Sequence, residues 1–298
     1  MPYARLLGAQ VAIAAAAIFA RYALVAAGPL AVSALRLVIA AAIAIGLALA
    51  FARRRLPAGI EIALGCAGLA LALHFATWIA SLQFTSVAVS TLLVATTPLL
   101  TEMYDTVRER RMPARRIVLA LILGAAGLAL IVTERGTPAP IAGRTLEGDL
   151  LAFAGAVAIA VYFVIVRDAG AQPKSGVVLP TLAIVSRTYG WAAVALTAAA
   201  AVAREAPPPP GATAAWGGII GMALFSQLLG HTGLNAALRD FSPTIVGMTT
   251  LPEPVFAALL ATVIFGEAVS LQVAAGGALV LCGVALALGR STALAAGA

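Results

Sequence analysis

Charge is what this chain has least of. Asp, Glu, Lys and Arg make up 10% of its 298 residues, where soluble domains carry about 25%. With 62% hydrophobic residues and a mean hydropathy of +1.03, that shortage excludes a water-soluble globule and identifies an integral membrane protein. Aromatics are scarce at 6%; Ala and Gly take their place, and such small residues let transmembrane helices approach closely. The two cysteines, Cys66 and Cys282, lie inside apolar runs and read as packing residues, with no metal spacing and no reason for a disulfide. The two histidines sit on separate runs with no third ligand in reach. A nucleophile elbow, an acidic metal motif and an ATPase motif are all missing, so neither an enzyme nor a cofactor or metal is expected. Nothing filter-like or re-entrant suggests a channel. The formal net charge of +7 does not point to nucleic acid, because the basic residues gather at the ends of apolar runs, as orientation in a bilayer requires.

What is present is a series of long apolar runs. In lipid every backbone group must bond internally, and runs of this length mean helices and not a barrel. The candidate spans are Leu6–Ala27, Pro29–Phe51, Ile60–Leu82, Val87–Asp105 and Ile117–Val132, then Leu150–Val166, Val178–Ala203, Trp216–Leu238, Thr244–Phe265 and Val269–Leu288. Each is near the roughly 17–25 residues needed to cross the hydrocarbon. The first run has signal-peptide features, with Arg5 ahead of an Ala-rich stretch. Removing it would leave four spans against five, so it reads as helix 1.

That balance matters because the sequence echoes itself. Pro29 precedes Arg36 by seven residues, and Pro180 precedes Arg187 by seven; further on, Pro98 and Gly127 answer to Pro254 and Gly283. The expected fold is all-α, with ten transmembrane helices as two five-helix repeats over residues 1–135 and 146–290. Five is odd, so the second copy threads the bilayer in the opposite direction. An inverted repeat implies alternating access around a site at the repeat interface. Thr133–Asp149 is the longest connection and joins the halves, while Pro207–Pro210 reads as a stiff external linker. Thirteen basic residues fall on the side of the termini and three on the other, which places both termini in the cytoplasm. The expected partners are the lipid bilayer and a small-molecule substrate, with protons as a possible coupling ion; monomer and homodimer are both open.

The chain resembles the EamA-type branch of the drug/metabolite transporter superfamily over nearly its whole length. The resemblance is carried by the doubled unit, the Pro-x6-Arg openings of helices 2 and 7, and Thr97-Pro98-Leu99 in helix 4. Leu251-Pro252-Glu253-Pro254, Phe265-Gly266-Glu267, Gly276, Gly277 and Gly283 carry it in the second half. It implies a multi-pass inner-membrane carrier, often an exporter of amino acids or other small metabolites, with helices 5 and 10 peripheral to a central cavity. The first half departs from the pattern, having Thr97 and Arg111 where the second has Glu253 and Glu267.

Polar residues at membrane depth normally face a cavity or another helix. Gln227, His231 and Asn235, spaced i, i+4 and i+8, share one face of helix 8. His74, with Trp78 one turn on, is their counterpart in helix 3: the repeat maps His231 to Phe75, and the two histidines are expected at mirrored depths. Glu253 lies midway along helix 9 between Pro252 and Pro254. Neither proline can donate a helical hydrogen bond, so a kink with freed carbonyls is expected there, and Glu253 can bind an ammonium group or carry a proton. His74, Trp78, Thr97, Gln227, His231, Asn235 and Glu253 are thus the substrate-binding candidates. Arg36 and Arg187 read as gating or interhelical ion-pair residues, the latter with Glu102 or Asp105, although a buried guanidinium can also hold a carboxylate. Arg21 is a weaker case that can snorkel outward. Phe19, Tyr22 and Tyr162 are lesser candidates for cavity walls, and Glu267 complements the dipole at the start of helix 10. Pro98, Pro252 and Pro254 are the expected hinges about which two halves rock. The function expected is a secondary transporter; a passive channel or facilitator for a small polar solute, or less plausibly a membrane-embedded enzyme, are the alternatives.

Overall fold

The computed structural model describes residues 2–52, 55–85, 90, 93–134, 145–172, 177–253, 255–256 and 270–288. Its helices are α1 (Pro2–Ala14), α2 (Ala16–Ala23), α3 (Pro29–Phe51), α4 (Ala58–Ser81), α5 (Thr97–Glu109), α6 (Arg115–Glu134) and α7 (Thr145–Gly170). After a two-residue hairpin come α8 (Thr181–Val202), α9 (Thr213–Gly221), a π-helix over Met222–His231, α10 (Thr232–Ala237), α11 (Pro243–Met248) and α12 (Leu271–Leu288). Seven stretches of the described residues are long and apolar enough to cross a membrane.

Several boundaries differ from the sequence expectation, each for a local reason. The first span is two helices, interrupted at Ala15 and ended at Ala23. The fourth runs on past Asp105 to Glu109 and stops where Arg110 takes a left-handed φ of 50°. The sixth is longer than Leu150–Val166 at both ends, absorbing part of the Thr133–Asp149 connection. Val178 is not helical: Val177–Val178 pairs antiparallel with Ala171–Gln172, and α8 starts after Pro180, which has no N–H to lose at a helix start. Helix 9 is broken after Met248, and its expected course beyond Phe256 falls outside the described residues, as do Pro254 and Glu267. The cysteines are not interior packing residues; both side chains are exposed on the outside of the bundle.

Close approach at glycine builds the helix pairs. A Cβ on Gly68 of α4 would meet the Thr188 carbonyl oxygen of α8 at 2.7 Å, and one on Gly276 of α12 would meet the Gly127 carbonyl oxygen of α6 at 2.6 Å. The α6–α12 pair has its own apolar cluster, Ile117, Ala120, Leu128, Ile131, Val280, Val284 and Ala287, joined by Met248 and Leu251. The larger core is shared by α1 to α4, α7, α8 and the π-helix, with Leu37, Leu71, Phe75, Ile79, Tyr162 and Tyr189 all but inaccessible.

Polar side chains fasten both ends of the bundle. At the end where α4 and α8 begin, Arg187 Nε meets Glu61 Oε1 at 2.8 Å, Arg167 meets Asp105 at 2.7 Å, and Arg108 pairs with Asp168. Arg111 joins them, donating to Glu102 at 2.8 Å; that bond, and then the one to Glu109, raises its pKa, so this cation is permanent. At the opposite end, among the described residues, two carboxylates meet neutral donors. Glu205 accepts from the Ala31 N–H in the first turn of α3 at 2.8 Å, where a helix favours an anion, and Asp149 accepts from the Thr85 hydroxyl at 2.7 Å.

Candidate functional site

Between the helices lies a cavity lined by Ile13, Ala16, Arg36, His74, Phe75, Trp78, Val94, Ala95, Thr97, Ile159, Phe163, His231, Leu234, Thr250 and Glu253. It gathers five of the seven substrate-binding candidates: His74, Trp78, Thr97, His231 and Glu253. Gln227 and Asn235 do not line it. They sit on the same helical side as His231, but each turn rises about 5.4 Å, so the three meet different neighbours. Gln227 Oε1 accepts from Arg36 at 2.8 Å. Asn235 accepts from the Tyr162 hydroxyl at 2.8 Å and donates to the His231 carbonyl at 2.7 Å.

Arg36 is fully buried. Its guanidinium lies 4.1 Å from the centroid of the Phe75 ring, a cation–π contact that partly replaces lost hydration. Gln227 supplies one oxygen acceptor, while Arg36 Nε has no partner among the described residues. Glu253 lines the same cavity, and its carboxylate makes no hydrogen bond or ion pair among the described residues. An unmatched guanidinium and an unmatched carboxylate therefore share one enclosed space without pairing.

The histidines are held by their surroundings. His74 Nδ1 donates to the Gly155 carbonyl at 2.9 Å, which fixes the tautomer of the neutral ring and leaves Nε2 as an acceptor. The ring is nearly parallel to Trp78, centroids 6.1 Å apart. His231 packs edge-on to Phe75 at 5.2 Å, so the two positions that the repeat relates are in contact. His231 Nδ1 is buried with no partner among the described residues.

The proline segments do not leave open carbonyls as expected. A proline at 252 cannot bond the Met248 carbonyl, but Leu251 N–H does so at 3.2 Å; a proline at 254 cannot bond Thr250, and Glu253 N–H does so at 3.0 Å. Around Pro98 the Val94 carbonyl receives the Thr97 hydroxyl instead, at 2.7 Å. The segments tighten into three-residue turns, and the break in helix 9 lies over residues 249–252 rather than between the prolines.

The remaining expectations divide. Arg187 pairs with Glu61, not with Glu102 or Asp105, which are engaged by Arg111 and Arg167. Arg21 and Tyr22 are exposed. Tyr162 is buried against Asn235 beside the lining residue Phe163, and Phe19 stacks on Phe225 at 6.0 Å; none of these lines the cavity. Phe75, Ile159, Phe163 and Thr250 line it and were not singled out from sequence, because apolar and hydroxyl residues in apolar runs carry no distinguishing signal. Thr250 alone could have been found, as the neighbour of the Pro-Glu-Pro segment. Among the described residues no group of His, Cys, Asp and Glu could hold a metal ion.

The sequence model of the EamA-like transporter family matches residues 3–133 and again 146–289. A protein of known crystal structure shares the fold over 98% of this chain and 98% of its own, with TM-score 0.80 at 20% sequence identity. No curated protein matches the chain in sequence.

Proposed function

The chain belongs to the EamA-like transporter family, and from that premise we propose that it is a secondary transporter that exports amino acids with apolar side chains by alternating access. The observation that carries this reading is the unpaired couple in the cavity: Arg36 and Glu253 face one space and do not meet. A zwitterion placed there satisfies both, its carboxylate taking the Arg36 fork and its ammonium group taking Glu253. Ile13, Phe75, Ile159, Phe163 and Leu234 suit an apolar side chain, and His74, Trp78, Thr97 and His231 complete the wall.

The scaffold of this proposal is ten spans in two inverted five-helix repeats, residues 1–135 and 146–290. Helix directions support it. Gly155 lies against His74 and Gly148 against Thr85, so α7 runs antiparallel to α4. Gly127 faces Gly276 while Gly283 faces Ala120, so α6 runs antiparallel to α12. The excess of basic residues on the side of the termini supports a cytoplasmic-membrane protein with both ends inside. Glu253, which shares the cavity with Arg36, His74 and His231, is also the group through which a proton gradient drives the cycle.

The test is counterflow in proteoliposomes with labelled amino acids, nucleosides and small amines, each with and without a pH gradient. Wild-type protein is expected to exchange apolar amino acids saturably, and Glu253→Gln to lose at least about tenfold in rate, the effect of one charged hydrogen bond. The gradient should accelerate the wild type and leave Glu253→Gln unmoved. Flux without saturation would establish a channel instead, and normal transport by Glu253→Gln would remove the assigned role.

A further inference from the structure

Three groups lining the cavity have no proton to give, and Glu253 has none when ionised. The Thr97 hydroxyl spends its single hydrogen on the Val94 carbonyl at 2.7 Å, with the Ala156 carbonyl as a second acceptor at 3.5 Å. The Thr250 hydroxyl spends its own on the Gly247 carbonyl at 2.7 Å. His74 Nδ1 donates to the Gly155 carbonyl, so Nε2 of the neutral ring keeps a bare lone pair. A carbonyl oxygen cannot donate, which fixes the direction of each of these bonds. Glu253, ionised, only accepts.

The backbone ties these groups down in two pairs that line the same cavity. The consecutive carbonyls of Gly155 and Ala156 hold His74 and Thr97 side by side. Thr250 and Glu253 lie about one turn apart on the segment after α11, and α11 packs on α5 through the Thr101–Thr244 hydroxyl bond at 3.2 Å. The residues of the lining that carry donors are Arg36, Trp78 and His231.

We propose that His74, Thr97, Thr250 and Glu253 form a subsite for a primary ammonium group that discriminates against N-methylated amines. The inference rests on the zwitterion reading above and adds a rule of selection to it. A primary ammonium brings three N–H donors to an array of acceptors whose protons are committed elsewhere. Each methyl group removes one donor and leaves a desolvated acceptor unmatched, which costs about tenfold in affinity. A trimethylated amine keeps the charge and loses every donor. Charge alone cannot satisfy the two threonines and the histidine.

The experiment is competition binding to the purified full-length protein with L-leucine and its N-methyl, N,N-dimethyl and N,N,N-trimethyl derivatives. The expected result is a stepwise loss, about tenfold at the first methyl and at least about a hundredfold at the third. Equal binding of leucine and its trimethyl derivative would overturn the subsite and leave the zwitterion reading intact. Binding by none of the four would overturn both. Thr97→Val supplies a readout that a packing role would not move. It should lower the ratio of leucine to trimethyl-leucine affinity by about tenfold, whereas Thr97→Ser should preserve that ratio. An unchanged ratio in Thr97→Val excludes Thr97 from the subsite.

Discussion

Arg36 and Arg187 begin alike, each seven residues after a helix-opening proline, and end in different chemistry. Arg187 finds Glu61 across the α4–α8 contact. Arg36 finds no acid within ion-pair reach among the described residues and relies on Gln227 and the Phe75 ring. The repeated motif foretells that two guanidiniums lie within the bundle; which of them faces an open space depends on what the opposing helix carries, and that is a tertiary fact. Gln227 illustrates the same point. Its spacing from His231 and Asn235 correctly puts it on the inner face, while spacing alone cannot tell a cavity residue from one that orients Arg36. From the geometry, Gln227→Leu removes the oxygen acceptor of a buried cation, worth about 1.5–3 kcal/mol. The expected outcome is a rise in KM for zwitterionic substrates of at least about tenfold, measured by counterflow, with Gln227→Glu retaining more of the wild-type affinity. An unaltered KM in Gln227→Leu would sink its role.

At the scale of elements, the helix interruptions were legible in kind and misplaced in detail. Prolines at 98 and 252 announce breaks because they lack a donor. The sequence does not announce that neighbouring N–H and hydroxyl groups fill the vacated carbonyls, because this requires the local turn to tighten first. Likewise the π-helix over Met222–His231 has no proline to mark it. The close pairing of α6 with α12, by contrast, rests on glycine. Gly127 and Gly276 sit against each other's carbonyl oxygens, so any side chain there forces α6 and α12 apart. Gly276→Leu is expected to destabilise the purified protein by about 1–3 kcal/mol, the usual cost of overpacking, seen as a lower thermal midpoint. Gly46→Ala, where an added Cβ meets nothing within 4 Å, is the matched control and should leave the midpoint in place. Equal midpoints for the two variants would mean that the α6–α12 approach is not structurally demanding.

At the scale of the whole molecule, the apolar runs foretold an all-helical membrane protein, because runs of spanning length constrain the backbone whatever the side-chain details. Partner choice at the bundle ends was not legible: Glu61 stands 126 positions before Arg187, and no pattern connects them. In the alternating-access reading these ion pairs hold one mouth shut. Glu61→Arg should therefore raise the access of a membrane-impermeant thiol reagent to a cysteine placed at that mouth, and Glu61→Arg combined with Arg187→Glu should restore protection. Failure of the charge-reversed pair to restore it would mean that packing, not charge, closes this end.

The ion pairs at the end where α4 and α8 begin have a consequence for how the protein senses its medium. Cation–anion pairs at a surface weaken as ions screen them, over a Debye length of about 10 Å at 0.1 M, whereas the bonds from the Ala31 amide and the Thr85 hydroxyl join an anion to a neutral partner and are much less exposed to that effect. At this mouth ionic strength acts chiefly on the exposed Arg108–Asp168 pair. In the alternating-access reading, concentrated salt would reach that exposed pair before the buried carboxylates Glu102 and Asp105, making the saltiness of the surroundings a handle on how readily this mouth opens.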